Sequence, residues 1–106
     1  MKSIKLMLVV FLAFFTSISI YAGDAAAGKA PYATCAACHG AKGEGNKAMN
    51  APRLAGQEAW YVVSSLKRFK SGARGKGDPI AATMIPMASM LNDKQMEDVA
   101  AYIGTL

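Results

Sequence analysis

Histidine is nearly absent from this chain. His39 is the one example in 106 residues, and it stands beside two cysteines, Cys35 and Cys38. A zinc site usually takes four ligands from Cys and His, so these three would close one only with a carboxylate. One imidazole leaves no histidine pair for acid–base work, and it denies a second imidazole to any metal held at His39. Beyond residue 20 no run of β-branched residues marks a strand, which excludes sheet architectures and with them the βαβ setting of a thioredoxin-like redox pair. Acidic residues are also scarce, 7 against 12 basic ones for a formal charge of +5. The basic residues are not interleaved with aromatics as in a nucleic-acid module, so no nucleic-acid partner is expected. There is no internal repeat.

What is present is concentrated in five residues. Cys35-Ala-Ala-Cys38-His39 carries two thiols three apart with an imidazole directly after the second, the attachment pattern of a c-type haem. On one helical turn the two thiols lie on neighbouring faces, placed to add to the two vinyl groups along one edge of a porphyrin. His39 follows where its ring can turn under the macrocycle and bind the iron. A disulfide between Cys35 and Cys38 would be tight and would leave His39 without a role. One covalently attached haem c is therefore the expected cofactor.

The chain begins Met-Lys-Ser-Ile-Lys, continues through the uncharged apolar stretch Leu6–Phe15, and closes a more polar segment with Ala22. That order predicts a secretory signal peptide over 1–22, cleaved after Ala22. The apolar run is shorter than the ~20 residues that span a bilayer, so no stable membrane insertion is expected after cleavage. Export to the periplasm agrees with the cysteines, because covalent haem attachment in bacteria occurs outside the cytoplasmic membrane. Residues 23–106 then form one small domain, of a size that commonly needs a staple. A haem at its centre would supply it. Cleavage also removes Lys2 and Lys5, and haem propionates would lower the net charge further.

The 23–106 region reads as all-α, with three to four helices. Residues 24–34 are rich in alanine, with Gly28 and Pro31 interrupting the stretch; Asp24 can cap a short first helix leading into the cysteines, and Gly28 stands for close helix packing or for a break. Residues 40–56 are too rich in glycine and turn formers for a regular element. Trp60, Val63, Leu66 and Phe69, with Val62, recur near helical spacing over 57–71, with Gly72 placed to end the helix, and Trp60 and Tyr61 are expected to pack in the core or on the haem. Residues 71–86 read as a second irregular segment. Asn92 and Gln95 form a capping box for a final helix whose stripe is Met96, Val99, Ala100 and Ile103.

With one histidine, the iron's other axial position falls to methionine, lysine, an amine terminus, water or nothing. Met96 belongs to a core stripe, Met90 lies beside the last helix, and Met49 is only ten residues past His39. Pro86 disfavours helix at Ile85, so Met84 is expected on extended backbone, as on a strap. Met84 ranks first as the second ligand and Met87 second.

Cys35-Ala-Ala-Cys-His39-Gly, Pro52-Arg-Leu-Ala-Gly56, Leu66-Lys-Arg-Phe-Lys-Ser-Gly72-Ala-Arg74, Met84-Ile-Pro-Met87 and Met96-Glu-Asp-Val-Ala-Ala-Tyr102 together resemble class I c-type cytochromes. They look most like a single-haem half of the cytochrome c4 and c553 group. The resemblance implies the small class I cytochrome c fold, haem held by Cys35 and Cys38, and His39 as proximal ligand. It favours Met84 as distal ligand and matches Pro52 to the proline whose carbonyl receives the His39 ring N–H. It also implies that the first and last helices cross near Gly28 and Tyr102. The chain has one CxxCH motif, so a dihaem function is not implied.

A haem closed by His39 and Met84 would suit electron transfer, with no enzyme activity of its own expected from this chain. The donor would be a quinol-oxidising complex or a dehydrogenase, and the acceptor an oxidase or reductase. Lys42, Lys47, Arg53, Lys70 and Arg74 are candidates for a weak docking surface, and Arg74 also for a propionate contact. The alternatives are a ligand-binding haem sensor and a haem subunit of an enzyme complex.

Overall fold

The computed structural model describes residues 23–106. The signal-peptide reading falls on residues outside that range. Four helices follow one another: α1 Ala25–His39, α2 Ala59–Ser71, α3 Met84–Ser89 and α4 Asp93–Ile103. One-turn 3-10 helices stand at Lys47–Met49 and Ala81–Thr83, and no strand occurs among the described residues.

Helix α1 is longer than the sequence suggests. The Asp24 carboxylate accepts from the Ala26 and Ala27 N–H groups, and the helix then runs unbroken through Pro31 to His39. Neither Gly28 nor Pro31 interrupts it. Proline costs one intrahelical hydrogen bond, and the packing of α1 against α4 outweighs that loss. Gly28 is the contact point: a Cβ there would meet the Asp98 carbonyl oxygen at 2.0 Å. Only a residue without a side chain lets the two backbones come so close. One helical turn on from Gly28, Tyr32 meets Tyr102 of α4 with ring centroids 5.1 Å apart.

Helix α4 starts on the expected capping box, with Asn92 accepting from the Gln95 N–H and the Gln95 side chain returning to the Asn92 N–H. Its stripe is the heart of the core: Met96, Val99, Ala100 and Ile103 are buried together with Tyr32 of α1, Val62, Leu66 and Phe69 of α2, and Ala88 of α3. Helix α2 ends at Gly72, whose φ of 79° is the left-handed cap that glycine accommodates.

Two expectations are corrected here. The core is not where Trp60 and Tyr61 pack, since Trp60 is 68% exposed and Tyr61 41%; this exposure does not bear on packing against the haem. The α2 surface that meets α4 is set by Val62, Leu66 and Phe69, at spacings of four and three, which turns Trp60 outward. The segment 71–86 is not irregular throughout, because α3 begins at Met84 and Met84 has helical backbone (φ −77°, ψ −18°) instead of extended. Pro86 sits in the first turn of α3, where its missing N–H would have had no intrahelical partner, so the helix tolerates it.

Candidate functional site

The last turn of α1 brings Cys35, Cys38 and His39 together, as the five-residue spacing requires. The two cysteines are not joined in a disulfide; Cys35 is half-buried against the core and Cys38 is exposed. Burial pushes the Cys35 thiol above its usual range, with the nearby Cys38 adding to the effect. His39 is buried, and its Nδ1 lies 2.7 Å from the Pro52 carbonyl oxygen. A carbonyl oxygen only accepts, so this bond requires the proton on Nδ1 and leaves Nε2 as the lone-pair nitrogen. Nε2 makes no hydrogen bond among the described residues. No fully buried side-chain nitrogen or oxygen lacks a partner among them, so Nε2 retains some accessible surface.

The loop after α1 positions Pro52 through three backbone anchors. The His39 carbonyl accepts from Gly45 N–H (2.8 Å), and Asn46 and Ala51 exchange two hydrogen bonds of 2.8 and 3.0 Å. The Gly43 carbonyl accepts from Leu54 and Ala55 (2.8 and 3.0 Å). Pro52 is therefore pinned on both sides, and the carbonyl that orients His39 has little freedom. The Tyr32 hydroxyl donates to the Gly40 carbonyl oxygen at 2.7 Å and fixes the exit from α1.

Tyr32 was missed from sequence. Its signal was available, since Gly28, Tyr32, Cys35 and His39 follow one another at four, three and four residues and so share a face of α1. Asp98 was also missed. It is buried on α4, accepts the Asp24 N–H at 2.8 Å and pairs with Lys94. The Lys94 hydrogen bond first, and the Asp24 N–H second, hold its carboxyl below the usual carboxylate range.

Met84 is half-buried and packs against the same buried cluster that Cys35 and Ala36 contact from α1 and Leu54 from the following loop. Met87 is 41% exposed, Met90 and Met49 more so, and Met96 is fully enclosed in the core. Of the five docking candidates, three are engaged with their own chain. Lys70 Nζ donates to the Leu91 carbonyl at 2.6 Å, and Arg53 Nε to that of Ala55 at 3.1 Å. Arg74 donates to Ser65 Oγ at 3.1 Å and lies over the Phe69 ring at 4.6 Å. Lys42 and Lys47 are exposed, and neither ammonium has a partner among the described residues.

The donor set fits a covalently bound haem: two adjacent thiols on one helical turn, and beside them an imidazole whose tautomer is fixed with Nε2 unbonded. The set fits zinc poorly, because no group of three or more His, Cys, Asp or Glu side chains able to hold a metal ion occurs among the described residues.

Residues 25–106 match the family model for cytochrome c. The chain is 49% identical over 84 residues to cytochrome c-554(548) of Halomonas halodenitrificans, covering 79% of this chain and 98% of that protein. It is 44% identical over 72 residues to the thiosulfate dehydrogenase electron acceptor of Stutzerimonas stutzeri, covering 68% of this chain and 31% of that one. Its fold superposes on the cytochrome c4 structure of Acidithiobacillus ferrooxidans with a TM-score of 0.70 at 33% identity, over 85% of this chain and 54% of the other. The agreement extends from the first turn of α1 to the final residue, far beyond the attachment motif. On that ground the chain belongs to the cytochrome c family and is an electron carrier bearing covalently attached haem c.

Proposed function

We propose that residues 23–106 act, after removal of a 1–22 leader, as a periplasmic single-haem shuttle in which His39 and Met84 would be the residues that hold the iron. When bound, the haem supplies an iron that accepts and releases one electron. The protein's part is to hold and tune it. Cys35 and Cys38 anchor the macrocycle edge through thioether bonds, and His39 offers Nε2 to the iron. Pro52 takes the Nδ1 proton in a hydrogen bond, which fixes the ring and strengthens the imidazole as a ligand. A thioether from Met84 and the burial of the site both favour the less charged ferrous form, which raises the potential.

The single observation that carries this reading is the 2.7 Å contact between His39 Nδ1 and the Pro52 carbonyl, because it leaves Nε2 as the ring's lone-pair nitrogen. Met84 is preferred to Met87 because it packs against the core, whereas Met87 stands in solvent. No helix among the described residues is long and apolar enough to cross a membrane. A relative named as the electron acceptor of thiosulfate dehydrogenase supports a dehydrogenase as one class of donor. Lys42 and Lys47, unpaired among the described residues, lie in the loop that holds Pro52 and suit brief, charge-steered encounters.

Optical spectra of the holoprotein, with and without carbon monoxide, test the ligand pair. A low-spin spectrum with a sulfur-to-iron charge-transfer band is expected, insensitive to carbon monoxide, and lost in Met84→Ala but kept in Met87→Ala. A high-spin spectrum that shifts with carbon monoxide would instead mark a ligand-binding haem. Intact mass of the purified protein reads the cleavage site.

A further inference from the structure

Trp60 is the largest side chain left outside the core, and the groove it lines holds none of Cys35, Cys38 or His39. Its indole N–H already has a partner, the Glu58 carboxylate beside it, so only the apolar faces of the ring remain to be covered. The ring stands at one wall of a groove between α2 and α4, about 700 Å³ in volume, floored by Val63, Ala100 and Ala101. Lys67 and Arg68 line the groove from α2 and Glu97 from α4, and none of the three forms an ion pair among the described residues. The groove thus combines a projecting aromatic knob, an apolar recess and unpaired charges of both signs.

We propose that this groove is the interface of a two-fold homodimer, in which Trp60 of each copy enters the recess of the other and Lys67 and Arg68 of each copy face Glu97 of its partner. Charge decides for a second copy. A partner of one sign would meet a like charge on one wall, whereas a two-fold axis places the basic wall of each copy opposite the acidic wall of the other. Trp and Arg are the side chains that dominate interface energetics when enclosed, and here both line one recess. The groove is lined by none of Cys35, Cys38, His39 or Met84, so pairing leaves the proposed electron path free.

Sedimentation equilibrium of the processed holoprotein, from micromolar to millimolar concentration, tests this. A monomer–dimer equilibrium is expected, with dissociation favoured by about tenfold or more in Trp60→Ala at an unchanged haem spectrum. Lys67→Glu and Glu97→Lys should each dissociate the dimer. An equimolar mixture of the two should restore it, because in the mixed pair both crosswise contacts join opposite charges. Three results would each overturn the proposal: a monomer at every concentration, a dimer indifferent to Trp60→Ala, or a mixture that stays monomeric.

Discussion

Gly28→Ala puts two opposite effects on one residue. In the interior of α1, alanine improves on glycine by about 1 kcal/mol through backbone entropy and helix propensity. Against that, the added Cβ would stand 2.0 Å from the Asp98 carbonyl oxygen, 2.4 Å from its carbon and 2.9 Å from Val99 N. All three are backbone atoms, so no side chain can swing aside. Restoring ordinary contact requires α1 and α4 to part by about 1.4 Å, a shift of the kind that overpacking produces at ~1–3 kcal/mol. The upper end applies here, since α4 carries Met96, Val99, Ala100 and Ile103, all fully enclosed. The net expectation is a loss of about 2 kcal/mol. With a urea slope of about 1–2 kcal/mol/M, the midpoint of the holoprotein falls by roughly 1–2 M. Urea titration followed by far-ultraviolet dichroism reads it. A Gly28→Ala protein as stable as the parent, or more so, would show that helix propensity outweighs the crossing and would refute the close approach.

Asp98→Asn tests the α1–α4 latch. The Asp98 carboxyl is held below its unfolded range, so its contribution is present above about pH 4 and is lost as pH falls through the lower folded value. The stability gap between parent and Asp98→Asn should therefore be widest near neutrality and close in acid; a gap independent of pH from 7 to 2 would contradict the charge-based account. Lys94 has the opposite sign, since its raised pKa makes the same pair fade only as strongly basic pH is reached. Asn92→Ala removes the side-chain half of the capping box at the start of α4, the acceptor for Gln95 N–H, and should cost about 1 kcal/mol in thermal or urea unfolding, with Asn92→Ser recovering most of it.

Sequence and structure divide the molecule along physical lines. Local chemistry was legible in the chain. The pentapeptide 35–39 names its cofactor because thiol, thiol and imidazole spacing on one turn is a local property, and the caps at Asp24, Gly72 and Asn92 are contacts between near neighbours. The α4 stripe was equally plain, because a helix buried along one side repeats its apolar residues. What misled was local preference where packing overrules it. Pro31 and Pro86 suggest breaks, yet one lies within α1 and the other in the first turn of α3. Trp60 suggests a place in the core, yet of its helical set only Val62, Leu66 and Phe69 are buried.

By itself, then, the sequence determined the covalent haem, the all-α class and the lone imidazole, since each follows from residue type and short spacing. Only the tertiary structure decided that Asp98 ties α4 to the start of α1, and that Trp60 faces outward beside charges that are unpaired among the described residues. Those relations join residues far apart along the chain or depend on which face of a helix is covered, and both are set by how the helices pack.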